Sequence, residues 1–291
     1  MEVSMKNYIL NNGNGIPALG LGVWQVNDAA QCKDVVSFAL KNGYRLIDTA
    51  TVYQNESAVG EGIMDSGIPR DEIFVCSKLW IQDMGYQSTK DAIDRLLISM
   101  KLDYLDMYLI HHPLGDYVGS WTAMEEAVKA GKIKNIGVAN FGKKQLTELI
   151  ENSSTVPAID QMEIHPLCQQ RYIREFLKEK GIALEAWSPL GSGNNAVLED
   201  ADILSMAKKY GKNAGQIILR WHIQEGVIAI PKSVHQERLV SNIDVWDFEL
   251  TEQEMNIIRN KDTGKNILGY DIEHPEQGEW TDFLLNLKVE S

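Results

Sequence analysis

The chain has 291 residues, of which 44% are hydrophobic, and it carries a formal net charge of −13 at pH 7. This length suits one large α/β domain or two smaller ones, and the acidic balance argues against general binding to nucleic acid or anionic membranes. The N-terminal residues lack the apolar core of a signal peptide, and no apolar run approaches membrane-spanning length. We therefore expect a cytoplasmic protein without membrane or nucleic-acid partners, in which an anionic ligand needs its own basic pocket.

The cysteine pattern also fits a cytoplasmic protein. Cys32, Cys76 and Cys168 are odd in number, are widely spaced and form no Cys-x-x-Cys pair. They indicate neither a disulfide framework nor a zinc knuckle, so we expect buried free thiols in a reducing compartment.

The chain begins with a hairpin signal. A short apolar segment at Tyr8–Leu10 is followed by the turn residues Asn11-Asn12-Gly13 and then by Ile16. This pattern predicts a β-hairpin ahead of the first long element.

Alternating strands and helices follow. In the stretch after Ser88, apolar residues share one helical face, and Ser88 with Asp91 predicts a capping-box start for that helix. Glycines close several helical stretches, because glycine readily takes the left-handed conformation that ends a helix. The predicted strands are eight in number: Ala18–Val23, Arg45–Asp48, Ile73–Lys78, Leu105–Ile110, Ile133–Ala139, Ala158–Glu163, Ile182–Trp187 and Val227–Ile230.

Eight strands alternating with helices, without a linker or a low-complexity stretch, predict a single (β/α)₈ TIM barrel domain over residues 1–291. The N-terminal hairpin would then plug the bottom of the barrel. The alternative is a doubly wound sheet, which usually carries Gly-x-Gly-x-x-Gly after its first strand. The nearest candidate, Gly20–Gln25, lacks the third glycine, so this alternative is disfavoured.

Polar residues close three consecutive predicted strands. Asp48 ends the second strand, with Tyr53 in the following loop, Lys78 ends the third, and His111 follows the fourth. Catalytic groups of barrel enzymes lie at these strand ends. A tyrosine of ordinary pKa is a poor acid at neutral pH, but a lysine beside it lowers that pKa, and a buried aspartate keeps the lysine charged. With His111 oriented at a carbonyl oxygen, the set is typical of a proton donor.

These residues lie in motifs that resemble the aldo-keto reductase superfamily, and in particular its microbial 2,5-diketo-D-gluconate reductase and methylglyoxal reductase group. The resemblance extends through essentially the whole chain. It implies NADPH-dependent reduction of aldehydes and ketones, with Tyr53 as general acid and Asp48, Lys78 and His111 completing a catalytic tetrad, and it requires no metal. The motifs are Arg45-Leu46-Ile47-Asp48-Thr49-Ala50, Tyr53-Gln54-Asn55-Glu56, Ser77-Lys78-Leu79-Trp80, Leu109-Ile110-His111, Gly137-Val138-Ala139-Asn140-Phe141, Ala186-Trp187-Ser188-Pro189-Leu190-Gly191 and Ile230-Pro231-Lys232-Ser233.

The resemblance also implies where NADPH binds. The run around Lys232, Ser233, Val234 and Arg238 supplies the basic pocket and resembles a clamp on the adenosine 2′-phosphate, because arginine grips phosphate bidentately. Small residues after the seventh strand permit close backbone approach to a pyrophosphate. The other implied contacts are Asn140 and Gln161 with the carboxamide, Trp187 stacked on the nicotinamide, Ser188, Leu190, Gly191 and Ser192 in the pyrophosphate loop, and Asn242 with adenine.

The implied substrate pocket departs from the family at one position. Trp24 and Trp80 resemble its aromatic walls, but His112 stands where many relatives carry tryptophan. We expect this polar ring to favour small or hydroxylated carbonyls, such as dicarbonyls and keto-sugars, with aromatic aldehydes also possible substrates. A C-terminal specificity loop (266–279) of little periodicity would complete the pocket.

Two other functions remain open at this point. Similar barrels also serve as non-enzymatic, cofactor-sensing regulatory subunits, although this chain shows no extra N-terminal arm for a partner. A sugar-phosphate isomerase would leave both the polar strand ends and the basic run unexplained. We expect an enzyme that acts on a small-molecule carbonyl substrate as a monomer.

Overall fold

The computed structural model describes residues 6–267, 269–287 and 289. Residues 1–5, on which the expectation about a signal peptide depends, and residue 268 of the predicted C-terminal loop lie outside the described residues. The chain starts with two antiparallel strands, β1 (Asn7–Ile9) and β2 (Gly15–Pro17), with Tyr8 opposite Ile16. The predicted hairpin is confirmed.

Eight parallel strands follow, and each pairs with the next one along the chain. Bridges from Leu19 to Ala229 and from Gly22 to Lys232 join the first of these strands to the last, which closes the sheet into a barrel. The (β/α)₈ prediction is confirmed, and the doubly wound alternative is wrong. The strands are β3 (Leu21–Gly22), β4 (Leu46–Asp48), β5 (Phe74–Leu79), β6 (Leu105–Ile110), β7 (Ile133–Ala139), β8 (Ile159–Glu163), β9 (Ala183–Trp187) and β10 (Ile228–Ala229).

Helices alternate with these strands. Among the described residues they are α1 (Ala29–Lys41), α2 (Glu56–Ser66), α3 (Tyr86–Met100), α4 (Tyr117–Lys129), α5 (Lys143–Glu151), α6 (Arg171–Lys180), α7 (Asn195–Leu198), α8 (Ala201–Tyr210), α9 (Ala214–Gln224), α10 (Gln236–Ile243), α11 (Glu252–Arg259) and α12 (Glu279–Asn286). The longer helices, such as α1, α3 and α4, bury an apolar face in the core that they share with the strands. None of these described helices combines the length and the apolar character that crossing a bilayer requires.

The predicted apolar face of α3 is buried, but its predicted start is wrong. The helix begins at Tyr86 with Gly85 at the N-cap, so Ser88 lies inside the first turn. The Gly85 amide donates a hydrogen bond to the Ser120 hydroxyl (2.8 Å), and Thr89 Oγ1 donates to the Asp83 carbonyl (3.1 Å). No side chain caps the start of this helix, and the Gly85 amide is bonded instead by Ser120 of α4.

The barrel interior is filled by side chains and is closed at its bottom. Leu10 and Ile16 of the hairpin belong to the same buried cluster as Leu46, Met107 and Ile228 of the strands. Asn12 and Asn14 donate hydrogen bonds to Asn135 Oδ1 at 2.6 and 2.8 Å. The hairpin therefore plugs the end of the barrel where the strands begin, as predicted, and leaves the carboxyl ends of the strands for a site.

All three cysteines are buried and free, as predicted for the thiols themselves. Cys76 faces the barrel interior, and Cys32 lies in the layer between helices and sheet.

Candidate active site

The four residues predicted at strand ends lie together at the carboxyl end of the barrel. Asp48 is the last residue of β4, Lys78 is the penultimate residue of β5, and His111 directly follows β6. Tyr53 closes the single 3₁₀ turn Thr51–Tyr53 that follows β4. Because these strands are neighbours in the sheet, residues far apart in sequence share one site.

Lys78 and Asp48 form a fully buried ion pair. The Lys78 Nζ lies 2.5 Å from Asp48 Oδ1 and also donates to the Thr49 carbonyl at 2.8 Å. Burial is the largest single effect and lowers the pKa of Lys78, but Asp48, Tyr53 and Cys76 together outweigh it, and the net pKa lies above the ordinary value. The lysine is therefore a fixed positive charge at neutral pH.

Tyr53 lies directly beside this charge. The Lys78 Nζ is 5.2 Å from the centroid of the Tyr53 ring, and the His111 ring meets the same phenol edge-on at 5.9 Å. Desolvation raises the pKa of Tyr53 to about 12, while the Lys78 charge opposes that rise. Lys78 thus lowers the pKa of Tyr53, as expected. The expectation of a net pKa below the ordinary value is not met, because desolvation is the larger effect.

His111 and His112 are both uncharged at neutral pH. Their rings stack at 4.8 Å with an interplanar angle of 9°. Burial, followed by the His112 ring and the Lys78 charge, holds the pKa of His111 well below its usual range, and burial lowers the pKa of His112 to about 3. A neutral imidazole offers one N–H donor and one acceptor, so His111 can orient a carbonyl oxygen without adding charge.

A second polar layer lies beneath the tetrad. Gln161 on β8 donates from Nε2 to Asp48 Oδ2 and to Glu185 Oε2 on β9, both at 2.9 Å. Glu185 is fully buried and was not among the predicted site residues. Its signal was its place two residues before Trp187, because side chains at that spacing face the same side of a strand.

A further carboxyl, which is half-buried, was also missed. Glu56 accepts a hydrogen bond from the Ser77 hydroxyl, and burial raises the pKa of Glu56 to about 7. The sequence feature that could have identified Glu56 is its place in the first turn of α2, the helix that precedes the Lys78 strand in the chain.

The predicted nicotinamide contacts lie at the mouth of the barrel. Asn140 follows β7 in a left-handed conformation (φ +62°). Its amide donates to the His111 carbonyl (3.1 Å) and accepts from the Trp187 indole (2.9 Å), which ties it to the tetrad and to the predicted stacking residue. Because both N–H groups of Gln161 are engaged, only its Oε1 is left for a ligand.

The loop after β9 is compact and tightly constrained. Ser188 and Ser192 both have positive φ values, of 48° and 52°, and their hydroxyls are 2.7 Å apart. A Cβ on Gly191 would lie 2.9 Å from Val197 Cγ2, so only glycine fits there. Leu190, which precedes Gly191 in this loop, is half-buried. The small residues leave backbone groups free to approach a phosphate closely.

The predicted basic pocket lies on the next segment. Lys232 pairs by a backbone bridge with Gly22, Ser233 is buried, and Arg238 lies in the first turn of α10, one turn before the buried Asn242. Lys232 and Arg238 are exposed, and neither forms an ion pair with any described residue. Val234, half-buried, separates them. In an acidic protein, two cations without carboxylate partners fit an anionic ligand.

The predicted substrate-pocket residues differ in exposure. Trp24, after β3, is 41% exposed, whereas Trp80 is buried. Trp80 meets His111 and His112 edge-on at 5.2 and 5.8 Å, and it is covered by Tyr270 and Leu284 from the C-terminal segment. Tyr270, in the segment predicted as a specificity loop, therefore lies against Trp80 and His112 beside the tetrad.

The described residues contain no candidate metal site. Within residues 6–267, 269–287 and 289, no group of three histidine, cysteine, aspartate or glutamate side chains converges as metal ligands.

Comparisons with known proteins agree with this geometry. Residues 18–263 match the aldo/keto reductase family. The chain is 45% identical to a 9,11-endoperoxide prostaglandin H2 reductase of Trypanosoma cruzi over 92% of this chain and 96% of that protein. It is 44% identical to a glyoxal reductase of Bacillus subtilis over 90% and 96%.

Solved structures agree as well. An aldo/keto reductase of Brucella melitensis superposes with a TM-score of 0.86 at 44% identity, covering 89% of this chain and 100% of that one. A Bombyx mori aldo-keto reductase, solved in complex with NADP, superposes with a TM-score of 0.87 at 34% identity, covering 94% and 97%. The resemblance seen in the sequence motifs is confirmed, and the chain belongs to the aldo/keto reductase family of oxidoreductases.

Proposed function

We propose that this chain uses NADPH to reduce aldehydes and ketones to alcohols, with Tyr53 as the general acid. The observation that supports this proposal most is the buried Lys78–Asp48 pair, which holds a permanent positive charge beside the Tyr53 phenol. A regulatory subunit that only senses a cofactor has no need for such a charge next to a phenol.

The residues at the barrel mouth fit NADPH. Trp187 offers a half-exposed indole whose orientation is fixed by Asn140. Lys232 and Arg238 offer a 2′-phosphate two exposed cations that form no ion pair within the described part of the chain. The amide groups at the start of α10 add donors for an anion. When bound, a nicotinamide cofactor supplies the hydride. The Bombyx mori relative solved with NADP supports this cofactor.

The tetrad supplies the proton. As negative charge develops on the substrate oxygen, the Tyr53 hydroxyl donates its proton to that oxygen, and the Lys78 ammonium stabilises the phenolate left behind. Asp48 keeps Lys78 charged and in place. His111, being neutral, hydrogen-bonds the substrate oxygen and orients the carbonyl toward Tyr53.

The test is Tyr53→Phe. This variant loses the proton donor and keeps the ring, so we expect kcat to fall at least about 100-fold while the Kd for NADPH changes by less than about twofold. Absorbance at 340 nm measures turnover of methylglyoxal, and tryptophan fluorescence measures NADPH binding. Tyr86→Phe, which removes an exposed hydroxyl on α3, is the matched control. Near wild-type turnover by the Tyr53→Phe protein would contradict the assignment.

The substrates we propose are small dicarbonyls, keto-sugars and aromatic aldehydes. His112 supports the polar end of this range, because it places an imidazole against Trp80 where an indole would be larger and more apolar. The glyoxal reductase among the relatives supports small dicarbonyls. A panel of α-dicarbonyls, diketo-gluconates, aldoses and aromatic aldehydes tests the order. Higher kcat/KM for bulky apolar ketones than for these would contradict it.

A further inference from the structure

We propose that Glu185 is a positioning residue of this site: its carboxyl orients the Gln161 amide, which in turn braces Asp48 and presents the Gln161 carbonyl oxygen toward the nicotinamide position. This inference rests on the proposed function, because it assigns Glu185 to the machinery of the same reaction. No motif that identifies the site includes Glu185.

The geometry is a linear chain of contacts through the barrel interior. Lys78 Nζ binds Asp48 Oδ1, Asp48 Oδ2 accepts from Gln161 Nε2, and the same nitrogen donates to Glu185 Oε2. The side chains concerned are all buried. A primary amide has two N–H groups, so both are consumed by the two carboxyls and the amide cannot rotate without losing one.

The charges around Glu185 favour its neutral form. From β4 it faces Asp48, from β5 the Lys78 ammonium and the Cys76 thiol, from β8 the uncharged Gln161, and from β10 its strand partner Ile228. Among the described residues that face Glu185, Lys78 is the one cation, and it pairs with Asp48 and not with Glu185. Glu185 Oε1 has no hydrogen-bond partner among the described residues.

A second buried carboxylate here would therefore be uncompensated, and such a group takes up a proton. Burial, reinforced by Asp48, raises the pKa of Glu185 to about 8. Neutral Glu185 leaves the whole charge of Lys78 to Asp48 and Tyr53. Ionised Glu185 would repel Asp48 and make the Tyr53 phenol a weaker acid.

Two variants separate these roles. Glu185→Gln keeps an oxygen that accepts from Gln161 but cannot ionise, whereas Glu185→Leu removes the acceptor. We expect Glu185→Leu to raise the Kd for NADPH about tenfold, because the Gln161 amide is left with an unpaired donor and is free to rotate. We expect Glu185→Gln to restore the Kd to within about threefold of wild type. The orienting role would be overturned if both variants weakened NADPH binding equally, or if neither variant weakened it.

The pH dependence of turnover is the second measurement. In the wild type, kcat for carbonyl reduction should fall as pH rises through about 8, and this fall should be absent in Glu185→Gln. Superimposable pH profiles of the two proteins would overturn the proposal. Thermal unfolding of each variant establishes that the protein is folded.

A third measurement does not depend on catalysis. In ligand-free protein labelled with ¹³C at the glutamate carboxyl, the signal of Glu185, assigned by its loss in Glu185→Gln, should titrate near pH 8. Glu56, the other late-titrating glutamate, is assigned with Glu56→Gln. Titration of Glu185 at an ordinary pH would overturn the inference whatever the enzyme reduces. Absence of carbonyl reduction by the wild type would instead contradict the proposed function.

Discussion

Lysine is among the residue types that are seldom fully buried, and Lys78 remains charged in the barrel because three oxygen-bearing neighbours surround it. Asp48 and the Thr49 carbonyl bind its ammonium, and the centroid of the Tyr53 ring lies 5.2 Å from its Nζ. The same charge that Asp48 stabilises acts on Tyr53, where it works against desolvation. The two buried histidines add no competing charge.

Substitution of Arg238 tests whether the protein prefers NADPH to NADH. Its guanidinium has no ion-pair partner among the described residues, so a 2′-phosphate would be its main electrostatic contact. Arg238→Ala should raise the KM for NADPH about tenfold or more and the KM for NADH much less, as steady-state rates with each cofactor will show. Arg95→Ala on α3 removes the same charge elsewhere and serves as control. Equal effects of Arg238→Ala on both cofactors would discredit the 2′-phosphate clamp.

The C-terminal segment is the element that completes the site. Its irregular part and α12 bring Tyr270 and Leu284 over Trp80, so the barrel mouth is covered by a part of the chain outside the eight strands. The Trp80 indole also donates to the Leu287 carbonyl at 3.4 Å. Because α12 buries two residues, Thr281 and Leu284, whereas the barrel helix α3 buries six, this element should respond to single substitutions.

Leu284→Ala tests this cover. The side chain is buried against Trp80, and its loss should loosen α12 without unfolding the barrel. We expect faster hydrogen exchange in residues 269–287 and a severalfold higher KM for carbonyl substrates. Leu285→Ala is the matched control, since Leu285 is the next residue on the same helix and is 59% exposed. If both variants behaved alike, the packing of Leu284 would not hold the cover in place.

At the scale of the whole molecule, buried titratable groups set how stability depends on pH. The pKa values of Glu56 and Glu185 are raised to about 7 and about 8, so from pH 4.5 upward the folded chain keeps protons that the unfolded chain releases. The contribution of these two carboxyls to the free energy of unfolding is fully present below pH 4.5. It is lost as pH rises from 4.5 through their folded-state pKa values of about 7 and about 8. Each proton contributes at most about 1.4 kcal/mol per pH unit.

Histidines act on the acidic side with the opposite sign. Burial lowers the pKa of His112 and His222 to about 3, and that of His111 well below 6.5, so below pH 6.5 the unfolded chain binds protons that the folded chain refuses. Stability should therefore fall in both directions from a maximum between about pH 6 and 7. Urea unfolding across pH 4–9 measures the curve, and Glu185→Gln should flatten its alkaline side. A curve that is level from pH 7 to 9 would contradict the buried-carboxyl account.

The same unfolding curves test domain organisation. We propose that residues 1–291 form one domain, because the hairpin and the C-terminal segment both pack on the barrel. A single urea transition is the expected result, followed by circular dichroism and tryptophan fluorescence together. We also propose that this domain is a monomer, which sedimentation of the purified chain will show. Separate transitions for the two probes would count against one domain.

The sequence by itself determined the barrel, its hairpin and the positions of the tetrad. Strand and helix periods are local properties of a chain, and polar residues such as Lys78 and His111 interrupt apolar runs where a strand ends. The family motifs added the basic segment around Arg238. Each of these signals lies within a few neighbouring residues, so no tertiary information was needed to read them.

Only the tertiary structure decided how these residues influence one another. The start of α3 depends on Ser120 from another helix, and the net pKa of Tyr53 depends on how far the folded chain excludes water from the phenol. Glu185 stands 137 positions from Asp48 in the sequence, yet one amide joins them. Desolvation and cross-barrel hydrogen bonds arise between strands that are distant in the chain, and for that reason local patterns do not reveal them.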